Sequence, residues 1–384
     1  MRLIKPLLIV TLVLLLVATG TAQTKLKAGF IYVGPIGDYG WTHAHNEARL
    51  LAMKALPWLD TSYIESVPEG NAGPSIDKLV RGGAQVIFTT SFGFMDATIA
   101  AAKKYPNVIF AHASGFKRAP NSATFMADFY QVYYLNGLAA GALTRTNKVA
   151  YVGAFPIPEV KRHIDAYALG VCEVNPDARV QVRWINEWFS PPAAKEATEA
   201  LIATNADVFA FTEDSPTVIQ VAAKKNLASF SHYSPMYKFA PNFVVSGELV
   251  HWEKIYIDFL TKVHDGTYTT KNLQNVDYWW LLAENAVEMG AKPGMAINPV
   301  FVNRLKSAMV TTKDLGRTSV YDLIMKRHAQ MSRSPVRFDP FSGPIKDRNG
   351  VIRVAAGHTM NEGELTSMEW AAKCVAGPWP NEPK

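Results

Sequence analysis

Residues 28–49 read Ala-Gly-Phe-Ile-Tyr-Val-Gly-Pro-Ile-Gly-Asp-Tyr-Gly-Trp-Thr-His-Ala-His-Asn-Glu-Ala-Arg. The apolar run Ala28 to Val33 has the composition of a buried strand. Gly34 to Gly40 is a loop whose path is set by three glycines and Pro35, and a helix opens near Trp41. This is the first unit of an open α/β sheet, in which ligands bind outside the carboxyl ends of the strands. Asp38 offers acceptor oxygens and Trp41 a flat indole face, a pairing that suits a planar, hydrogen-bonding ligand. The same residues read equally as a plain βα turn with a core tryptophan, and spacing alone leaves both open. The glycine spacing departs from Gly-x-Gly-x-x-Gly, and Pro35 lacks an N–H that a pyrophosphate would use, so a nicotinamide enzyme is disfavoured.

Working outward, 384 residues with 48% hydrophobic content can build two cores and hence two lobes. Residues 1–22 carry Arg2 and Lys5, an apolar run Leu7 to Val17 and the small residues Gly20-Thr21-Ala22. They are expected to be a secretory signal cleaved after Ala22, the run being short for a bilayer span. Its removal lowers the formal charge from +6 to +4. No cysteine follows the apolar run, so a lipid anchor is not expected, and the mature chain is expected to be soluble and periplasmic. Basic residues are scattered, with no nucleic-acid motif. Cys172 and Cys374 allow either a disulfide or two buried thiols, and neither lies in a Cys/His cluster that would bind metal.

Strands and helices alternate along the chain. Ala28–Val33, Thr61–Val67, Ala84–Thr90 and Asn107–Ala113 read as strands. Helices are expected at Thr42–Leu56, at Ser75–Arg81 with Ser75 as cap, at Thr98–Lys104, and through Tyr134 to about Arg145. The pattern restarts with strands at Lys148–Gly153, Val180–Ile185, Asp207–Phe211, Leu227–Ser231 and Phe243–Ser246, then a helix to Val263. The sheets should be parallel. The expected partition is 23–146 plus about 247–335 for lobe 1, and 147–246 plus about 336–384 for lobe 2. The tail pairs a strand near Phe341–Gly350 with Val351–Ala355 on lobe 2, while residues 300–337 give no clear pattern.

The presumed strand ends are rich in aromatics: Trp41, Phe92, Phe94, Phe116, Phe155, Trp188, Phe189, Tyr233 and Trp252. Rings converging on one cleft would sandwich a heterocycle. Asp38, Ser91, Asp128, Glu187, Asp214 and Ser215 are polar groups at the same ends. For Asp214, ligand contact and helix capping are equally supported and compatible. Catalytic patterns are thin, with no Gly-x-Ser-x-Gly, His-Glu-x-x-His or Walker loop. His43 and His45, two residues apart on a helix, cannot easily share a metal. No enzymatic activity, cofactor or metal is therefore expected, with an exported hydrolase or deaminase as the rival class.

Five stretches in order carry a resemblance: 32–41, 90–96 (Thr-Ser-Phe-Gly-Phe-Met-Asp), 151–160 (Tyr-Val-Gly-Ala-Phe-Pro-Ile-Pro-Glu-Val), 212–216 (Thr-Glu-Asp-Ser-Pro) and 343–347 (Gly-Pro-Ile-Lys-Asp). The chain resembles the basic membrane lipoprotein (BMP) family of ABC-transporter substrate-binding proteins, which includes purine and nucleoside receptors. The resemblance implies an α/β type I periplasmic-binding-protein fold: two Rossmann-like lobes with parallel sheets, three crossovers and a hinge cleft. It implies a monomer that delivers a small purine-like ligand to an inner-membrane permease and its ATPase. It places ligand contacts at Asp38, Trp41, Ser91, Phe92, Asp128 and Asp214; the reading of the loops adds Phe155, Trp188, Tyr233 and Trp252. Nucleoside-binding relatives place an aspartate after the strand matching Leu227–Ser231, whereas here His232-Tyr-Ser-Pro-Met236 follows it. That favours a free base such as adenine, with a nucleoside or a sugar as alternatives, and leaves His232 or Tyr233 as replacements.

Overall fold

The computed structural model describes residues 25–383, and the expected signal segment 1–22 lies outside the described residues. The chain opens with β1 (Leu26–Tyr32), α1 (Trp41–Ala55), β2 (Leu59–Ile64), α2 (Ala72–Arg81), β3 (Val86–Thr90), α3 (Met95–Lys104), β4 (Ile109–Ala113) and β5 (Ser122–Ala127). After α4 (Tyr130–Leu143) it repeats the alternation: β6 (Lys148–Gly153), α5 (Pro158–Val174), β7 (Arg179–Trp184), α6 (Pro191–Ala203), β8 (Val208–Thr212), α7 (Thr217–Ala223), β9 (Ala228–Ser231) and β10 (Val244–Val250). Then come α8 (Trp252–His264), β11 (Asp277–Trp280), β12 (Val287–Met289), α9 (Pro299–Ser307), the hairpin β13 (Met309–Thr312) and β14 (Gly316–Ser319), and α10 (Val320–Met331). The tail holds β15 (Ile345–Lys346), β16 (Ile352–Val354), α11 (Glu362–Thr366) and β17 (Val375–Ala376).

Two large sheets result, one per lobe, beside the two-stranded pairs β13–β14 and β15–β16. The first runs β11-β5-β4-β3-β1-β2 and is parallel throughout. The second runs β12-β10-β9-β8-β6-β7-β17, parallel except where β12 meets β10. Helices cover both faces, so β3, β4 and β8 are buried along their whole length and read as continuous rather than alternating apolar runs. In each sheet the order reverses beside the opening strand, at β1/β3 and at β6/β8. Those reversals create the crevices in which α/β sheets take ligands.

The chain passes between lobes at 128–129, at His251 and at 281–286. The passages run side by side: the Asp128 N–H donates to Trp280 O (3.0 Å) and the His251 N–H to Ala286 O (2.8 Å).

The lobe limits differ from 146, 247 and 335. Helix α4 belongs with the second sheet, because glycines let it lie directly on α5. A Cβ on Gly137 would stand 2.1 Å from Tyr167 O, and one on Gly170 2.1 Å from Tyr134 O. β10 lies in the second sheet, α8 packs on α1, and β11 pairs with β5, so only α8 and β11 return to the first lobe; β12 is back in the second. Ser75 is inside α2 rather than at its cap, which is Asn71. Residues 300–337 form α9, the β13–β14 hairpin and α10, which packs on α4. β15 and β16 pair with each other alone, and β17 joins the second sheet beside β7. Cys172 and Cys374 form a disulfide that ties this tail to α5. Among the described residues no helix is long and apolar enough to cross a membrane.

Candidate functional site

The loop at 34–40 is shaped by one carboxylate. Asp38 accepts the N–H groups of Gly40 (2.8 Å), Thr42 (3.1 Å) and His43 (2.9 Å). Two of these are among the otherwise unpaired amides of the first turn of α1. Asp38 therefore caps α1 from two residues ahead of the N-cap Gly40, and it is absent from the lining of the cleft cavity. Burial pushes its carboxyl up to about 7, the three N–H donors pulling partly back.

That cap starts α1 at Trp41, which the cleft needs. The Trp41 indole N–H donates to Thr90 O at the end of β3 (2.6 Å), fixing the ring at the switch point of the first sheet. Behind it, Trp252 meets Trp41 edge-on at 5.3 Å and stacks on His45 at 4.4 Å. Trp252 is fully buried and lies outside the cavity lining, so it supports the site instead of lining it.

The cavity between the lobes has an empty volume of about 280 Å³. Lobe 1 contributes Val33, Trp41, Ser91, Phe92 and Ser114; lobe 2 contributes Glu159, Trp188, Asp214 and Tyr233. Six of the ten expected site residues thus come together: Trp41, Ser91, Phe92, Trp188, Asp214 and Tyr233. Ser114 and Tyr233 both have φ of +62°, a conformation unusual for side-chain-bearing residues and often concentrated at functional sites.

The polar atoms of this cavity differ in what they still need. The Ser91 hydroxyl donates to Glu69 (2.5 Å), leaving its oxygen free to accept. The Ser114 hydroxyl donates to Glu159. Asp214 Oδ1 takes the Trp41 N–H at 3.4 Å, but Asp214 Oδ2 and Trp188 Nε1 are buried without a partner. Unpaired buried polar groups are costly, so an unused acceptor and an unused donor on one cavity mark where a bound molecule would pair. Burial pushes Asp214 well above the carboxylate range, reinforced by Asp38 and Glu213. Burial raises Glu159 too, with His163 and Ser114 opposing.

The remaining expectations fall elsewhere. Asp128 sits in the hinge passage, ion-paired with Arg162 and 3.4 Å from His163 Nε2. Burial favours its neutral form, but Arg162 and His163 outweigh that and hold it well below the usual range. Its charge is consumed within the protein, and it does not line the cavity. Phe155 packs on Trp188 with ring centres 5.0 Å apart and holds that indole from behind. His232 is buried under Tyr233, its Nδ1 paired with Tyr133 OH (2.7 Å) and Glu248 (3.2 Å), and burial keeps it neutral. Val33, Ser114 and Glu159 were not expected in the lining. For Glu159 the one signal is its place at the start of α5, after Pro158, within the stretch 151–160.

Residues 25–309 match the profile of the Bmp family, described as ABC transporter substrate-binding protein PnrA-like. The chain is 36% identical over 351 residues to a purine-binding protein of Brucella abortus (strain 2308), covering 91% of this chain and 92% of that one. It is 36% identical over 264 residues to a putative ABC transporter glucose-binding protein of Haloferax volcanii, covering 69% and 66%. Among solved structures, an ABC transporter solute-binding protein of Aeropyrum pernix K1 superposes with a TM-score of 0.66 at 15% identity, over 82% of this chain and 93% of that one. At that identity the likeness is one of fold.

Proposed function

The chain belongs to the PnrA-like family of ABC transporter substrate-binding proteins and has their type I periplasmic-binding-protein fold, and on that premise we propose that it captures a purine base, adenine-like in its edge chemistry, between its lobes. It acts as a monomeric periplasmic receptor that binds its ligand unchanged and hands it to a membrane permease and ATPase.

The observation that carries this reading is the pairing of an unused acceptor, Asp214 Oδ2, with an unused donor, Trp188 Nε1, on a cavity walled by Trp41, Phe92 and Tyr233. A purine offers ring faces to the aromatics, an N–H or amino group to the carboxyl and a ring nitrogen to the indole. The 36% identity to the Brucella purine-binding protein supports the same ligand class. Ligand that bridges the lobes binds the closed form better and shifts the population toward it.

A sugar is the second reading, favoured by the Haloferax relative. Calorimetric titration of unfolded, ligand-stripped and refolded protein with adenine, guanine, hypoxanthine, adenosine, guanosine, riboflavin and glucose separates the readings. Adenine is expected to bind at least about tenfold tighter than adenosine. Glucose binding with no response to any purine would sink the purine reading in favour of the sugar.

A further inference from the structure

The central cavity shares a wall with a second space between the lobes. Phe92, Ser114 and Glu159 line both. Ser114 follows β4 in lobe 1 and Glu159 stands in the first turn of α5 in lobe 2, so their hydrogen bond crosses the cleft and exists only when the lobes are together. Glu159 is 8% exposed. Swinging it aside would break that bond and leave a nearly buried carboxyl unpaired, and the positive end of α5 further favours its position. The backbone at Ser114 is left-handed, a conformation that concentrates at functional sites.

The outer space has hydroxyl-binding chemistry. Arg118 and Asp277 pair on its lobe 1 side beside the Trp279 indole, and Glu362 of α11 faces them from lobe 2. Carboxylates accept from sugar hydroxyls, a guanidinium donates to them, and an indole face packs on a sugar ring.

We infer that the Ser114–Glu159 pair is the selectivity gate between these two spaces. It closes the central cavity on the side where a substituent on the ligand would leave, so an unsubstituted ring fits and a glycosylated one is excluded. With the Glu159 side chain removed the spaces merge, and the glycosyl group takes the Arg118–Asp277–Glu362 chamber. This inference rests on the purine reading above.

The test is titration of the unaltered protein, Glu159→Ala, Glu159→Gln and Ser114→Gly with adenine and adenosine, each variant checked by thermal melting. Ser114→Gly suits the left-handed backbone and removes the other half of the gate, so it serves should Glu159→Ala not fold. Expected is a strong preference of the unaltered protein for adenine. Glu159→Ala and Ser114→Gly should lower that preference at least about tenfold by gaining adenosine affinity. Glu159→Gln, which keeps the volume and an acceptor for Ser114, should hold the ratio within about threefold whatever the absolute affinities. A ratio unmoved in folded Glu159→Ala or Ser114→Gly overturns the gate, as does a Glu159→Gln ratio that follows Glu159→Ala. Equal binding of adenine and adenosine by the unaltered protein overturns the gate and leaves the purine reading standing. Binding of neither ends the purine reading, and the gate with it.

Discussion

Gly40 and Asp214 meet across the cleft so closely that a Cβ on Gly40 would lie 2.5 Å from Asp214 Cα. That contact leaves no room for a side chain at this position. Gly40→Ala should hold the lobes apart beside Trp41 and weaken ligand binding at least about tenfold, since closure then works against a steric stop. Titration calorimetry with small-angle scattering tests this: a variant that binds with full affinity and contracts normally would show that the contact does not limit closure.

The carboxyls around that contact set a pH dependence. Burial raises both Asp38, to about 7, and Asp214. A carboxyl raised on folding binds its proton more tightly in the folded state. Its contribution to stability is therefore full below about pH 4 and lost as pH rises through the folded value. Asp214→Asn removes one of these charges and lowers the burden on Asp38. At pH 8 the ligand-free variant should melt roughly 2 °C or more above the unaltered protein, and at pH 4 the two should coincide. Calorimetric scans at both values decide it. An identical difference at pH 4 and pH 8 would show that the effect is not one of charge.

Trp188 separates binding from stability. Its indole N–H has no partner within the protein, so Trp188→Phe removes a donor that the folded chain does not use, while keeping a ring against Phe155. Ligand affinity should fall about tenfold, the scale of one buried hydrogen bond, with the melting temperature within about 2 °C. Equal affinity for the variant would mean that the ligand does not accept from this indole.

What was legible in the chain follows from where the information lies. The repeated strand and helix runs are local, and β6 occupies the expected Lys148–Gly153. β5 was not, because its first half, Ser122-Ala123-Thr124, carries little apolar signal and its second neighbour, β11, arrives about 150 residues later. Aspartates at strand ends look alike in sequence. What distinguishes them is which partner arrives: three backbone amides at the start of α1, Gly40 among them, for Asp38, Arg162 for Asp128, and nothing for one oxygen of Asp214. Glu159 was hidden for the opposite reason, since an acid in the first turn of a helix already has a local justification.

The two cysteines were likewise undecided by spacing, and the fold brings their Cα atoms to 6.4 Å across a separation of 202 residues. Cross-linking a loop of that length restricts the unfolded chain by up to about 5 kcal/mol in the chain-entropy picture. The tail has other anchors on the same helix: the Arg162 guanidinium donates to Leu365 O (2.7 Å) and Asp165 accepts the Ala372 N–H (2.8 Å). Cys172→Ser with Cys374→Ser should therefore fold, melting several degrees lower. Neither cysteine lines the central cavity, so adenine affinity should stay within about threefold. Scanning calorimetry with and without reductant, followed by titration, tests both halves. An unmoved melting temperature would mean that the noncovalent anchors alone hold the tail. A large loss of adenine affinity would mean instead that the tail positions α5, and with it Glu159, at the cleft.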